Sequence, residues 1–155
     1  MEWKAKWIKP SLDTGDVAPV FCKKFTLPQA AVRATLTITA LGVYEARLND
    51  ERVGEFILAP GWTAYYKRLQ YQTYDITEYL TSGSNTLGMY VGDGWYLGAQ
   101  SLPDIKNMKH AHAVLFQVHV TYEDGSCEVI CSDNKVKAAY GAVQCSDLYA
   151  GEKYD

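Results

Sequence analysis

The sequence predicts an all-β fold, an antiparallel β-sandwich of about 8–10 strands. Short runs of alternating apolar and polar residues recur along the chain, turn residues separate them, and long helical periodicity is missing. The chain has 155 residues, of which 48% are hydrophobic and 21% are charged, which is typical of one domain with its own core. We therefore expect a single β-sandwich domain over residues 1–155, with a core from about residue 20 to residue 147.

The first half of the chain supplies five of the predicted strands. The clearest signal is ATLTITAL, which alternates and is rich in the β-branched residues that favour strands. Pro and Gly positions separate the runs, since both residue types interrupt regular strands. In chain order these predicted strands are Val20–Leu27, Ala34–Leu41, Val43–Leu48, Arg52–Leu58 and Leu69–Ile76.

The second half begins with a predicted single helical turn over Ile76–Leu80, with Thr77 near its start. Asp124-Gly125 is the strongest hairpin signal in the chain. The segment Gln100–His110 contains Pro, Asp and Asn, which predicts a loop. The predicted strands of this half are Asn85–Val91, Ala113–Tyr122, Ser126–Cys131, Val136–Ala139 and Ala142–Cys145.

The charge pattern argues against nucleic-acid and membrane partners. The net charge is −3 and the Lys and Arg residues are scattered, so the basic surface that nucleic acid requires is not formed. No run approaches the roughly 20 apolar residues of a membrane-spanning helix. The start, MEWKAKWIKP, lacks the apolar stretch of a secretory signal, so we expect a cytoplasmic protein if Met1 is the natural N-terminus.

Cysteine and histidine spacing does not predict a metal site. No C-x-x-C pair occurs, and we expect reduced, mostly buried thiols. His110 and His112 would lie on one face of a strand and His119 on the other, without an evident third ligand, so we interpret them as edge or loop histidines. The four cysteines are Cys22, Cys127, Cys131 and Cys145.

No catalytic residue or cofactor is predicted. Glycoside hydrolysis uses two carboxylates about 5–5.5 Å apart for retention, or about 6.5–9.5 Å apart for inversion. The acids near predicted hairpins occupy ordinary solvent-facing turn positions. A G-x-S-x-G motif does not occur. A nucleotide-binding glycine loop does not occur either, since the glycines of GDGWYLG have the wrong spacing. These acids are Glu51, Glu55, Glu123 and Asp124.

Two loops combine Gly with Trp and Tyr, Ala59–Arg68 and Gly92–Gly98. An indole can stack on the apolar face of a sugar while a carboxylate or guanidinium binds its hydroxyls. The same aromatics could instead fill the core or contact another domain, and we favour packing or interdomain contact over direct sugar contact. The candidate carbohydrate-binding or interdomain residues are Trp62, Tyr65, Arg68, Asp93, Trp95 and Tyr96.

Five motifs in order resemble the N-terminal domain of bacterial α-L-rhamnosidases. The resemblance that these motifs carry extends in order over nearly the whole chain, and one departure is the loop from Gln100 to His112, which does not fit the family pattern. A looser similarity from Tyr74 to Leu87 connects the chain with galactose-binding-like jelly rolls. The five motifs are ALGVYEARLNDER (40–52), VGEFILAPGWTAYYKRLQYQTYDIT (53–77), GDGWYLG (92–98), VTYEDG (120–125) and SDLYAGEKYD (146–155).

The resemblance implies a jelly-roll domain of a larger enzyme. That enzyme would hydrolyse terminal α-L-rhamnose from glycosides with inversion, and its acid and base would lie on a separate (α/α)₆ barrel of the same polypeptide. The 155 residues cannot contain that barrel, so we expect this chain to be inactive alone. The alternatives are a free-standing carbohydrate-binding jelly roll and a purely structural spacer.

Overall fold

A computed structural model of the chain describes residues 2–11, 13, 15–99 and 111–155. Two short helices occur in these ranges, a 3₁₀ turn over Thr77–Tyr79 and the one-turn helix α1 (Gly94–Leu97). The strands that the structure describes are β1 (Pro19–Leu27), β2 (Arg33–Leu41), β3 (Val43–Leu48), β4 (Glu51–Arg52), β5 (Gln72–Asp75), β6 (Gly83–Gly92), β7 (Ala113–Thr121), β8 (Cys127–Cys131), β9 (Lys137–Tyr140), β10 (Val143–Asp147) and β11 (Gly151–Tyr154).

The strands form two facing antiparallel sheets and one extra hairpin. The first sheet has the order β4-β3-β6-β1-β9, the second has the order β5-β2-β7-β8, and β10 pairs with β11. From β1 to β7 the strands, apart from the two-residue β4, alternate between the two sheets, which is the winding of a jelly roll. The predicted antiparallel β-sandwich is confirmed.

The core lies between the two sheets. Strands β2 and β7 pair over nine residues, from Arg33 opposite Thr121 to Leu41 opposite Ala113. Ile38 and Phe116 are directly paired and fully buried, and burial of each such side chain contributes about 1.5–3 kcal/mol. The N-terminal segment covers the other face of this sheet, where Lys4 N donates to Gln117 Oε1 at 3.1 Å. The central strands are therefore buried on both faces.

The predicted strand Arg52–Leu58 is wrong beyond its first residue. Only Glu51–Arg52 is a strand, and the chain then leaves the sheet. Gly54 has a φ of +70° and lies against the ring of Tyr74, a conformation and a contact that a side chain would prevent. The apolar residues Phe56 to Leu58 are exposed, so apolar content here does not indicate a buried strand.

Other predicted elements differ in smaller ways. The strand predicted over Leu69–Ile76 is confined to β5. The predicted helical turn is confirmed as the 3₁₀ turn. At its start, Thr77 Oγ1 donates a hydrogen bond to Asp75 Oδ1 at 2.6 Å. Strand β11 is absent from the sequence prediction because its four residues are all exposed and lack apolar alternation. The predicted loop Gln100–His110 lies outside the described residues.

All four cysteines are free thiols, but the prediction that they are mostly buried is wrong. Cys127 is exposed, and Cys22, Cys131 and Cys145 are half-buried, so none of the four lies in the core between the sheets. Within the described ranges, neither helix is long and apolar enough to cross a membrane.

Candidate functional site

The structure brings the two Gly-Trp-Tyr loops together at one end of the sandwich. The rings of Trp62 and Trp95 are stacked, with centroids 6.4 Å apart and planes inclined by 15°. The rings of Tyr65 and Tyr96 meet edge to face, with centroids 5.1 Å apart. We call these four residues the aromatic shelf. Two predicted candidates from each loop thus form a single surface.

Hydrogen bonds from the core hold the first loop in place. Tyr44 N donates to Ala59 O at 2.7 Å, and the buried Tyr44 hydroxyl donates to Gln72 Oε1 at 2.8 Å. Gln72 Nε2 in turn donates to Pro60 O at 3.1 Å. Burial, together with the hydrogen bond to Tyr74, raises the pKa of Tyr44 far above its ordinary value, so this hydroxyl remains a proton donor. The loop therefore begins at a rigid anchor.

Glycines position the second loop against strand β3. Gly94 has a φ of +53°, and a Cβ at this position would lie 2.5 Å from Val43 Cγ1. A Cβ at Gly98 would collide with the Gly94 carbonyl oxygen, which accepts the hydrogen bond from Gly98 N at 3.2 Å. This close approach turns the chain at the end of β6 and places Trp95 and Tyr96 on α1.

Asp93, the residue before α1, binds a side chain that the sequence interpretation missed. Its Oδ1 lies 2.9 Å from Nε2 of His112, which is 2% exposed. His112 lies outside the strands, directly before β7, as the interpretation of an edge or loop histidine expects, but its ring is buried beside Gly42. The sequence signal that could have indicated this contact is that both residues flank strands. Asp93 directly follows β6, and His112 directly precedes β7. His110 lies outside the described residues, and His119 is exposed.

The shelf itself carries no charge at neutral pH. Burial, followed by the proximity of Tyr96, raises the pKa of Tyr65 to about 12. Burial also raises the pKa of Tyr96, which is 4% exposed. Both phenols therefore stay protonated at neutral pH, and the shelf presents uncharged aromatic surface.

The outer edge of the shelf is open to solvent. The Trp62 side chain is 68% exposed, whereas Trp95 is half-buried beneath it. Arg68 is exposed, and its side chain has no hydrogen bond or ion pair within the described part of the chain. Lys67 Nζ lies 5.6 Å from the centroid of the Tyr66 ring, a cation–π geometry. Thr63 Oγ1 is buried and has no hydrogen-bond partner among the residues described.

The acids considered from the sequence do not form a hydrolytic centre in the structure. Glu51, Glu55, Glu123 and Asp124 are all exposed. The hydrogen bond from the Ser126 hydroxyl holds the pKa of Asp124 below its usual value, which is the opposite of what a general acid needs. Across the described residues, no three His, Cys, Asp or Glu side chains are grouped to hold a metal ion.

Comparison with known proteins identifies the family of this chain. The family model for the α-L-rhamnosidase N-terminal domain matches residues 29–155. The chain belongs to this family. An α-L-rhamnosidase of Streptomyces avermitilis is 46% identical over 148 residues, and the match covers 91% of this chain and 14% of that protein. The resemblance inferred from the sequence motifs is therefore confirmed.

Solved structures of family members give the same result. The α-L-rhamnosidase of Aspergillus terreus is 38% identical with a TM-score of 0.89, and the match covers 98% of this chain and 18% of that one. The α-L-rhamnosidase of Dictyoglumus thermophilum is 35% identical with a TM-score of 0.86, covering 99% and 18%. The chain thus spans less than one fifth of the length of these rhamnosidases, as a domain within a larger polypeptide does.

Proposed function

We propose that this chain is the non-catalytic N-terminal domain of an α-L-rhamnosidase, which packs on a separate (α/α)₆ catalytic barrel and supports recognition of rhamnose-containing glycosides. The observation that carries the proposal is the family match over residues 29–155 to proteins of which the chain covers only 14–18%. The acids considered for catalysis, which all lie among the described residues, are exposed, and the proposal therefore assigns hydrolysis to another part of the polypeptide.

The aromatic shelf is the surface through which the domain would act. Its rings are preorganised, because Trp62 is supported by Trp95 and Tyr65 by Tyr96. Rigid aromatic side chains supply contact area at a low cost in conformational entropy, which suits both a domain interface and a sugar platform. We place contact with the catalytic barrel first and contact with the glycoside at its margin second.

An activity assay tests the parent-enzyme assignment. The polypeptide encoded by the whole gene is expected to release L-rhamnose from an aryl α-L-rhamnoside, while the 155-residue chain releases none at equal molar concentration. Hydrolysis by the 155-residue chain would show that it is catalytic. A whole-gene product without rhamnosidase activity would exclude the assigned parent enzyme.

A free-standing carbohydrate-binding jelly roll is the second candidate. The exposure of Trp62, with a second indole beneath it, is the observation in its favour. Calorimetric titration of the 155-residue chain with L-rhamnose and with a rhamnosyl flavonoid separates the candidates. Heat that saturates in the millimolar range and disappears in Trp62→Ala supports independent binding, and no heat excludes it.

A further inference from the structure

Three consecutive apolar side chains lie exposed outside the aromatic shelf. Phe56, Ile57 and Leu58 are 52%, 73% and 41% exposed, and we call them the apolar ridge. Single exposed apolar residues are ordinary, but consecutive exposed apolar residues usually mark a contact surface. The ridge is therefore a candidate contact surface.

The backbone holds the ridge in one conformation. Leu58 has a φ of +58°, an unusual value for a residue with a branched side chain. Gly61 N donates to Leu58 O at 3.0 Å, and the Tyr44 N to Ala59 O hydrogen bond ties the next residue to strand β3. The ridge is thus preorganised, which lowers the entropic cost of covering it.

The ridge forms one wall of a groove on the outer face of the first sheet. The floor comes from β3 and β6, where Glu45 and Tyr90 are directly paired and Tyr90 is 43% exposed. The opposite wall is the β10–β11 hairpin, which contributes Val143, Ser146 and Glu152. The groove has a volume of about 250 Å³, enough for one or two large apolar side chains.

The Glu45 carboxylate in the floor of the groove already pairs with two arginines of the same domain. Glu45 Oε1 accepts from Arg47 Nε at 2.9 Å, and Glu45 Oε2 lies 3.5 Å from Arg52 Nε. Each carboxylate oxygen of Glu45 therefore already has one guanidinium partner within the domain. The wall that the ridge forms is the apolar surface of Phe56, Ile57 and Leu58, and the hairpin wall adds Val143 beside the polar Ser146 and Glu152. This combination favours an apolar polypeptide segment over a carbohydrate.

We infer that the apolar ridge and its groove are the docking site for an apolar segment of the same polypeptide from outside residues 1–155. This inference rests on the proposed function, which places the domain in a longer rhamnosidase. The relatives supply the argument for the occupant, since more than four fifths of their length lies outside the matched domain. Apolar side chains seated between Ile57 and Tyr90 would remove the ridge from water, and Arg52 and Glu152 at the margin would set the register.

Footprinting with hydroxyl radicals tests the inference directly. The 155-residue chain and the whole-gene polypeptide are labelled side by side, and the labelling of each peptide is measured by mass spectrometry. We expect labelling of Phe56, Ile57 and Leu58 to fall by about fivefold or more in the longer polypeptide, because interface residues lose most of their contact with water. Val32, which is 56% exposed and outside the groove, is the internal control and should change little.

Substitutions separate docking from a merely buried loop. Ile57→Asp should lower the thermal midpoint of the whole-gene polypeptide while leaving that of the 155-residue chain unchanged, and Val32→Asp should change neither. Equal labelling of the ridge in both proteins would overturn the inference. Self-association of the 155-residue chain that Ile57→Asp abolishes would overturn it in favour of a second copy, and a gene that ends at Asp155 would also overturn it. Failure of the proposed function appears separately, as missing rhamnosidase activity with the ridge still protected.

Discussion

Oδ1 of Asp93 lies 2.9 Å from Nε2 of His112, and this contact joins the end of β6 to the start of β7. The two strands belong to different sheets, so the pair links both layers of the sandwich at the end that carries the shelf. Asp93 O also accepts hydrogen bonds from Tyr96 N at 3.2 Å and Leu97 N at 3.1 Å. One residue thus holds α1 to the core and thereby positions Trp95 and Tyr96.

Asp93→Ala should destabilise the domain. The substitution leaves the buried His112 nitrogen without this partner, and an unsatisfied buried polar group costs about 1–3 kcal/mol. Urea denaturation of the 155-residue chain measures the loss. Asp93→Asn keeps an acceptor oxygen and should recover part of it, and Glu123→Ala, at an exposed acid, is the control. Equal midpoints for Asp93→Ala and Glu123→Ala would show that the contact does not stabilise the fold.

Trp62 and Trp95 should be energetically coupled. Stacked aromatic pairs contribute about 0.5–1.5 kcal/mol beyond the area that they bury. A double-mutant cycle with Trp62→Ala and Trp95→Ala, measured by urea denaturation, should return a coupling energy in that range. Trp95→Ala alone should cost more than Trp62→Ala, because the Trp95 ring is half-buried and Trp62 is 68% exposed. Strict additivity would contradict the stacking seen in the structure.

Gly94→Ala should destabilise more than Gly125→Ala. Both glycines have a positive φ, +53° and +80°, and the left-handed conformation costs an L-residue about 1–2 kcal/mol. A Cβ at Gly125 would meet no atom within 4 Å, whereas a Cβ at Gly94 would also press on Val43. Overpacking adds about 1–3 kcal/mol, so the difference between the two variants isolates the close approach of α1 to β3. Equal losses would mean that α1 can shift without cost.

The tyrosine pair should make the domain sensitive to alkali. The pKa of Tyr65 is raised from 10.0 to about 12, so the folded state favours the protonated phenol. Its contribution to stability is complete below pH 10 and is lost as the pH rises from about 10 to about 12. The free energy of unfolding in urea should therefore fall over this range, and less steeply in Tyr65→Phe. Tyr149→Phe, at a side chain that is 81% exposed, is the control and should keep the wild-type slope.

Two sequence signals predict the long paired strands: burial alternates along β3, whereas β2, which is buried on both faces, is rich in β-branched residues. The predicted bounds Val43–Leu48 match those observed, and the prediction for β2 differs by one residue. The same reasoning fails at Phe56–Leu58, where the apolar residues predict a strand but lie exposed on a bent segment. Local sequence pattern does not distinguish an exposed apolar segment from a buried strand.

The composition of the candidate loops identifies them, but it does not predict their contact. Pairing Trp62 with Trp95 requires knowing that both loops leave the sandwich at the same end, which depends on the order of strands in two sheets. The partner of Asp93 escapes prediction for the same reason. His112 is distant in sequence, and only the fold places it beside the carboxylate.

In the proposed function, the aromatic shelf serves a larger rhamnosidase without performing its chemistry. The most direct measurement is steady-state hydrolysis of an aryl α-L-rhamnoside by the whole-gene polypeptide, its Trp62→Ala variant and, as a control, Trp7→Ala at another exposed tryptophan. We predict that Trp62→Ala lowers kcat/KM about tenfold, as the loss of one aromatic contact of roughly 1.4 kcal/mol would, while activity remains measurable and Trp7→Ala behaves as wild type. Complete loss of activity in folded Trp62→Ala, or kinetics identical to wild type, would contradict the account.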